Sequence, residues 1–542
     1  MFKYFLVLTL MLSNARLLAA ELGHSKAKKG GTFLYNLGSG PTTLNPFSSM
    51  DAYATVVQKE VLESLLERNP ETYKWSPRLA ESWKVSKDGK KYTFKLRKGI
   101  FWHDGAPLTV ADVKFSFDAI LDVETYKTAH RKPYFEGIKA AKIIDKSTIV
   151  FTVKNTYFAN FREIANMLIV PMHIYKNPAK KQRKKLNKTL IGTGPYILEK
   201  YNKGKNIILK RNKKWWGLKV SAFKNRYNFD KFLMKFVKDS TISMTMLEKG
   251  NLDFIGLGAD DYVKKTSGKK WGKEVFKVKI KNKSAKGYAF IGFNLKDPLF
   301  KSKKIRKALH LLVNRELMNK KFLYGLTKLA TGPLYRQSEY ADPTVKPIPF
   351  NPALALKILR SEGWKDSDGD GILDKMIQGK KKKFEFTILE PSNFFNKYLT
   401  VFKEDAKKIG VVVHIKNIEW TTFVKLLEER KFSAVRLGWS GGKIEWDPKQ
   451  IWHSDSRSKS GSNFIGYSNL KVDKLIDEAR LILDHKKRVK LLRQVYKMIA
   501  DDVPYIFFFN ADYNYYAHRK RIRKIKDSLT YAVGRDYWWI EK

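Results

Sequence analysis

The sequence predicts a mixed α/β chain of several domains, on three observations. Short strand-like and helix-like segments alternate throughout, with no repeat of roughly 20–50 residues to indicate a solenoid. The 542 residues exceed the roughly 250–300 over which one core keeps growing. Apolar residues make up 43% and aromatics 13%, enough for several cores, which excludes global disorder.

In chain order, residues 1–20 (MFKYFLVLTLMLSNARLLAA) pair a positive Lys3 with an apolar run from Tyr4 to Leu12. That run suits the h-region of a secretory signal and is too short to span a bilayer. Cleavage is expected after Ala20 or Ala15. Tyr92–Arg97 (YTFKLR) alternates as a half-buried strand should. The turn FWHDGAPLT follows, and Thr109 with Asp112 three residues later gives a capping box that starts a helix. Ile149–Lys154 (IVFTVK) alternates again. Breaks fall at IGTGPY (Ile191–Tyr196), before the apolar strand GYAFIGFN (Gly287–Asn294), and at DDVPY (Asp501–Tyr505) before IFFF. Val472, Leu475, Ile476, Ala479, Ile482 and Leu483 keep helical spacing, which resumes at Val489, Leu492 and Val495.

Composition narrows the function. Lys and Arg number 106 against 53 Asp and Glu, a net +53, and Lys supplies 83 of the cations against 23 from Arg. A nucleic-acid specialist uses more Arg, the preferred fork for phosphate and guanine, and clusters its charge. Here the clusters at Lys180–Lys188 and Lys380–Lys383 are short and read as solvated loops. No nucleic-acid partner is expected; the charge biases the ligand pool toward acidic solutes. The absence of cysteine excludes disulfides, thiolate metal sites, cysteine catalysis and a lipidated N-terminal cysteine.

Several segments together resemble the extracellular solute-binding proteins of family 5, the oligopeptide- and dipeptide-binding proteins of bacterial ABC importers. They are GGTFLYNLGSGPTTLNPF (Gly30–Phe47), LAESWKVSKDGKKYTFKLRKGIFWHDGAPLTVADVKFSF (Leu79–Phe117), IGTGPYILEKYNKGKNIILKRNKKWWG (Ile191–Gly217) and FNLKDPLFKSKKIRKALHLLVNRE (Phe293–Glu316). FNPALALKILRSEGWKDSDGDGILD (Phe350–Asp374), SNFIGYSNLKVDKLIDEAR (Ser462–Arg480) and DDVPYIFFF follow in family order. The resemblance implies an α/β, two-lobed fold of the large type II periplasmic-binding-protein kind. Lobe one would comprise 30–66, 178–280 and 500–542, with an extra domain inserted at 67–177, and lobe two 285–500. Two hinge strands would lie near 280–290 and 498–506. It further implies a monomeric periplasmic binder, not lipid-anchored, that closes on a peptide and delivers it to an inner-membrane ABC permease without catalysis or cofactor.

In such binders two backbone stretches pair with the ligand as added strands. The resemblance carries them to Met50, Asp51 and Ala52, and to Gly438, Trp439 and Ser440. Where peptide binders hold an Asp for the ligand's ammonium group, this chain has Gly442; Glu445 is the candidate replacement, and Asp447-Pro448 matches a structural motif. Trp102, Trp420, Trp439, Trp446 and Trp452 form a pool of candidate pocket walls. Arg436 and Lys443 flank the loop, within reach of an acidic ligand group, and are expected instead to be solvated. The Gly442 departure keeps open a non-peptide solute, such as an oligosaccharide or a metal complex.

Two further patterns invite other chemistry. Gly438-Trp-Ser440-Gly-Gly442 fits G-x-S-x-G, the elbow of a secreted serine hydrolase, with His485 or His518 to nominate as base. No clean helix follows it and no oxyanion motif precedes it. Asp366-Ser-Asp368-Gly-Asp370-Gly371 resembles a calcium loop but has Ile377 where a bidentate Glu belongs, leaving a weak structural calcium site open.

Overall fold

The computed structural model describes residues 22–128, 130–377, 379–391, 393–441, 444–457, 461–528 and 533–541. The expected signal at 1–20, Gly442 and Lys443 lie outside the described residues. No helix among these is long and apolar enough to cross a membrane. The chain divides into two units, Met1–Asn282 with Asn514–Lys542, and Lys283–Tyr513.

The first unit is built on a seven-stranded sheet. Its Thr32–Asn36 strand runs parallel to both neighbours, Lys231–Lys235 and Phe254–Gly256, while the flanking strands are antiparallel. A four-stranded antiparallel sheet holds Ala80–Val85, Lys91–Leu96, Thr148–Val153 and Ile138–Ile143 in that order. One apolar cluster, from Phe33 through Phe94 to Trp538, runs through both. The helix expected after Thr109 spans Val110–Leu121. Asp112 accepts the main-chain N–H of Thr109 at 2.8 Å, and its other oxygen accepts Met172 N–H at 2.8 Å.

IGTGPY is a close-approach loop rather than a simple break. Gly194 N–H donates to Val61 O at 2.9 Å, and a Cβ on Gly192 would stand 1.9 Å from that same carbonyl oxygen. No side chain fits without separating the two segments.

The second unit carries a six-stranded sheet in the order Thr327–Leu329, Tyr505–Ala511, Tyr288–Phe293, Ala434–Trp439, Glu385–Glu390, Val412–Asn417. Alternate residues feed opposite faces. Ile291, Phe293, Ile388, Ile506 and Phe508 enter one cluster, whereas Phe290, Leu389, Val435, Tyr505 and Phe507 enter another. Burial on both faces explains why these strands read as continuous apolar runs. It also explains why residues 500–513, expected in lobe one, belong to this unit. Tyr505–Ala511 pairs on both edges within this sheet.

Two expectations are corrected here. Lys380–Lys383 is a strand, antiparallel to Asp374–Ile377, and Lys180–Leu186 is a helix; neither is a loop. The acidic loop explains the first. Lys381 Nζ lies 2.7 Å from Asp368 and 3.6 Å from Asp374, and Lys383 pairs with Asp370. Asp366 accepts the N–H groups of Gly369 and Gly371 at 2.8 and 3.0 Å. Asp366, Asp368 and Asp374 converge, and the Lys381 ammonium already answers two of the three, Asp368 and Asp374.

Two outcomes follow. Gly192→Ala is expected to cost about 3 kcal/mol or more of stability in urea unfolding, because strain against a backbone carbonyl has no side chain to relieve it. Calcium is expected to leave the wild-type melting temperature unchanged, while Lys381→Ala combined with Lys383→Ala creates a calcium-dependent rise. A wild-type rise overturns the lysine assignment.

Candidate functional site

The second sheet has a topological switch at its parallel strands. Glu385–Glu390 is parallel to both neighbours. The helix that follows it, Asn396–Lys407, leads to Val412–Asn417 on one side, while Ala434–Trp439 lies on the other. Open α/β sheets bind ligands outside the carboxyl ends of strands at such points. Pairing between Glu385–Glu390 and Ala434–Trp439 covers only Ile388↔Ala434 and Leu389↔Val435. Beyond Val435 the edge facing Glu385–Glu390 pairs with no strand among the described residues, while the opposite edge stays hydrogen-bonded through Tyr288↔Trp439. This leaves the main chain of Leu437–Trp439 facing no strand on that side among the described residues, open to an added one.

The walls at this end are aromatic. Trp439 stacks between Phe290 and Phe464, with ring centroids at 6.2 and 5.6 Å. Its buried Nε1–H makes no hydrogen bond of ordinary geometry among the described residues, but it lies close enough to the buried Tyr505 hydroxyl to act on it as a donor, opposing the rise that burial gives that phenol's pKa. Phe394, 74% exposed, and Trp420, 55% exposed, follow the carboxyl ends of the two other parallel strands. Trp102, Trp446 and Trp452 are buried in cores and leave the candidate pool. Gly287 and Gly441 let the loop after Trp439 press on its neighbour. A Cβ on Gly441 would lie 2.2 Å from Ala285 O, and one on Gly287 would lie 2.4 Å from Trp439 O.

The charged groups differ from expectation. Arg436 is not solvated: it forms a two-pronged ion pair with Glu390, whose side chain is 0% exposed, and lies 4.8 Å from the centre of the Phe395 ring. Glu390 ends its strand, so the pair holds the diverging strand ends at a set spacing. Asp447 is structural, accepting Lys449 N–H and Arg480 Nε–H, each at 3.1 Å. Glu445 is half-buried and close enough to Tyr340 for its charge to help raise that phenol's pKa, behind the larger effect of burial.

Sequence reasoning missed Lys286. Extending the Tyr288↔Trp439 register by two residues sets it opposite Gly441. It is only 8% exposed and donates to Ser284 Oγ at 2.7 Å. Burial lowers its pKa to about 8 against the pull of Asp512. Phe394, Phe395 and Glu390 were missed as well; the one usable signal was their place just after an apolar strand.

The first unit holds the other predicted stretch. Met50 is 78% exposed, and Ala52 opens the Ala52–Val61 helix. Asp51 is its N-cap, accepting Ala54 N–H at 2.7 Å and the Thr42 hydroxyl at 2.8 Å. Its carboxylate is therefore engaged in building the turn.

No hydrolase is assembled. Ser440 is exposed at a strand end, and among the described residues after it no helix begins until Lys449–Trp452. His485 pairs with Glu339 at 2.8 Å, and His518 lies in the first unit against Arg519 O.

Comparison with known proteins agrees with a binder. The family described as bacterial extracellular solute-binding proteins, family 5 Middle, matches residues 74–462. The oligopeptide-binding protein AppA of Bacillus subtilis is 30% identical over 534 residues, 97% of this chain and 93% of that protein. The solved structure of B. subtilis AppA in complex with a nonapeptide is 29% identical, has a TM-score of 0.77, and covers 95% of this chain and 100% of its own. NikZ from Campylobacter jejuni, in complex with Ni(L-His), shares the fold at 24% identity and a TM-score of 0.75, covering 94% and 99% of the two chains. The fold is the two-lobed, type II binding-protein architecture, and its work is binding rather than catalysis. The chain belongs to family 5 of the bacterial extracellular solute-binding proteins.

Proposed function

We propose that this protein captures peptides along the open edge of Ala434–Trp439 and delivers them to an ABC permease, with its two lobes closing on the ligand. Family membership carries with it an extracytoplasmic location and a membrane permease as partner. The observation that carries the peptide reading is the strand edge left unpaired after Val435. An extended peptide satisfies such an edge with main-chain hydrogen bonds, which give affinity without reading its side chains. The relative that binds a nonapeptide, similar over nearly the whole chain, supports the same reading.

Met50, Asp51 and Ala52 would supply the contact from lobe one, Gly438, Trp439 and Ser440 that from lobe two, and Glu445 an ammonium partner. The protein would be a free monomer, released by cleavage of the residue 1–20 segment. A metal complex is the second reading, favoured by Gly442 in place of a carboxylate and by the ligand of NikZ.

Native mass spectrometry of the purified protein decides between them. Co-purifying peptides of mixed sequence are expected; a metallophore or sugar as the retained mass replaces the substrate and keeps the fold. With a bound peptide in hand, Trp439→Ala is expected to weaken binding by about tenfold or more, roughly 1.4 kcal/mol. Saturating peptide should also reduce the radius of gyration in solution scattering. An unchanged radius removes closure from the proposal.

A further inference from the structure

Away from the strand edge, the second unit buries a positive charge that no acid among the described residues neutralises directly. Arg315 opens the Arg315–Leu323 helix and is 2% exposed. A guanidinium carries five N–H donors. Those of Arg315 reach three main-chain carbonyls, Ala330 O at 2.9 Å, Phe507 O at 2.5 Å and Ile348 O at 2.9 Å. Its Nε–H has no partner among the described residues. Every acceptor is a neutral dipole.

The charge is felt nearby. His310 is buried with Nδ1 unpartnered, and burial together with the Arg315 charge holds it well below the ordinary imidazole range, hence neutral. The pKa of Arg315 itself falls to about 10 through burial, with Glu316 the charge that opposes the fall. An isolated buried charge is expensive, and carbonyl dipoles offset it only in part.

A cavity of about 140 Å³ is lined by Arg315 together with Glu316, Val313, Leu329, Ile348 and Phe350. It has room for a few water-sized bodies. The apolar part of its lining offers nothing to a neutral polar guest. The positive end of the nine-residue helix adds to the guanidinium field. Glu316, the acid on the rim, sets a limit on the guest, because its repulsion grows with the guest's charge.

We infer that this cavity is a site for a small monovalent anion, a halide or a group of carboxylate size, which takes the free donor capacity of Arg315. The assignment is independent of which solute the protein transports. Di- and trivalent oxyanions are excluded by Glu316, and larger organic anions by the volume.

Thermal melting of the purified protein, exchanging sodium gluconate for sodium chloride at constant ionic strength, tests the inference. A saturable rise in melting temperature with chloride is expected. Glu316→Gln should lower the half-saturating chloride concentration by about tenfold, since it removes a facing negative charge. Arg315→Gln should abolish the chloride response; if that variant does not fold, Glu316→Gln decides alone. In bromide-soaked crystals an anomalous peak is expected within hydrogen-bond distance of Arg315. Indifference to chloride in both the wild type and Glu316→Gln overturns the site. So does a Glu316→Gln variant that loses stability without gaining chloride affinity, because Glu316 is then the internal counter-ion.

Discussion

The first unit depends on one carboxylate, Glu63, withdrawn from water almost completely. It accepts Arg78 Nε–H at 2.6 Å, the Thr193 hydroxyl at 2.8 Å, Trp216 Nε1–H at 2.8 Å and Trp215 Nε1–H at 3.3 Å. Burying this charge costs several kcal/mol in desolvation, which four aimed donors can offset and three cannot do as well. The constraint explains sequence features that have no local reason. The threonine of IGTGPY and both tryptophans of KWWG are donors to one acid, and the glycines beside that threonine let the loop reach it. Arg78 and Arg226 then share Glu67, Arg226 reaches Asp536, and Arg535 pairs with Glu60. The returning C-terminal segment is thereby tied to the last turn of the Ala52–Val61 helix through Glu60, just before Glu63.

The second unit uses a buried pair for a different end. Strands buried on both faces have little freedom to splay, yet two parallel neighbours part here after two paired residues. The Glu390–Arg436 pair sits where they part, with Phe395 under the guanidinium. Ion pairs of this kind add little net stability compared with apolar packing, but losing one partner is severe. What the pair contributes is a defined geometry: it keeps the strand ends near each other while leaving the main chain after Val435 without a strand on that side. The proposed binding edge is therefore a local failure of sheet pairing held open by a charge contact.

Much of the fold was legible because it rests on local chemistry. The Thr109–Asp112 box, the alternation of Tyr92–Leu96 and the spacing of Val472–Ala479 each depend on residues a few positions apart, and each element is present. The site was legible only in part. Arg436 looked like a solvated loop cation because Glu390 lies 46 positions away. Four lysines in a row looked like a loop because their acids lie in the facing turn, 13 positions earlier for Lys381 and Lys383. Tryptophan type alone did not separate the buried Trp102, Trp446 and Trp452 from Trp420 and Trp439. Periodicity finds which face is apolar, whereas sequence separation hides which charge answers which.

The same separation governs the net charge of +53. Glu60, Glu63, Asp253 and Glu390 are each matched by an arginine within the protein, so these pairs cancel at a distance. The excess then belongs to exposed lysines spread along the chain rather than to any groove. A diffuse positive field raises the encounter rate for anionic solutes, and it falls off over about 8 Å at physiological ionic strength. It acts on arrival more than on identity. Identity must come from groups held at contact distance, and at the proposed strand edge these would be main-chain N–H and C=O groups, an indole and the buried Lys286. Surface charge and selectivity are thus separate properties of this chain, carried by different residues and screened differently by salt.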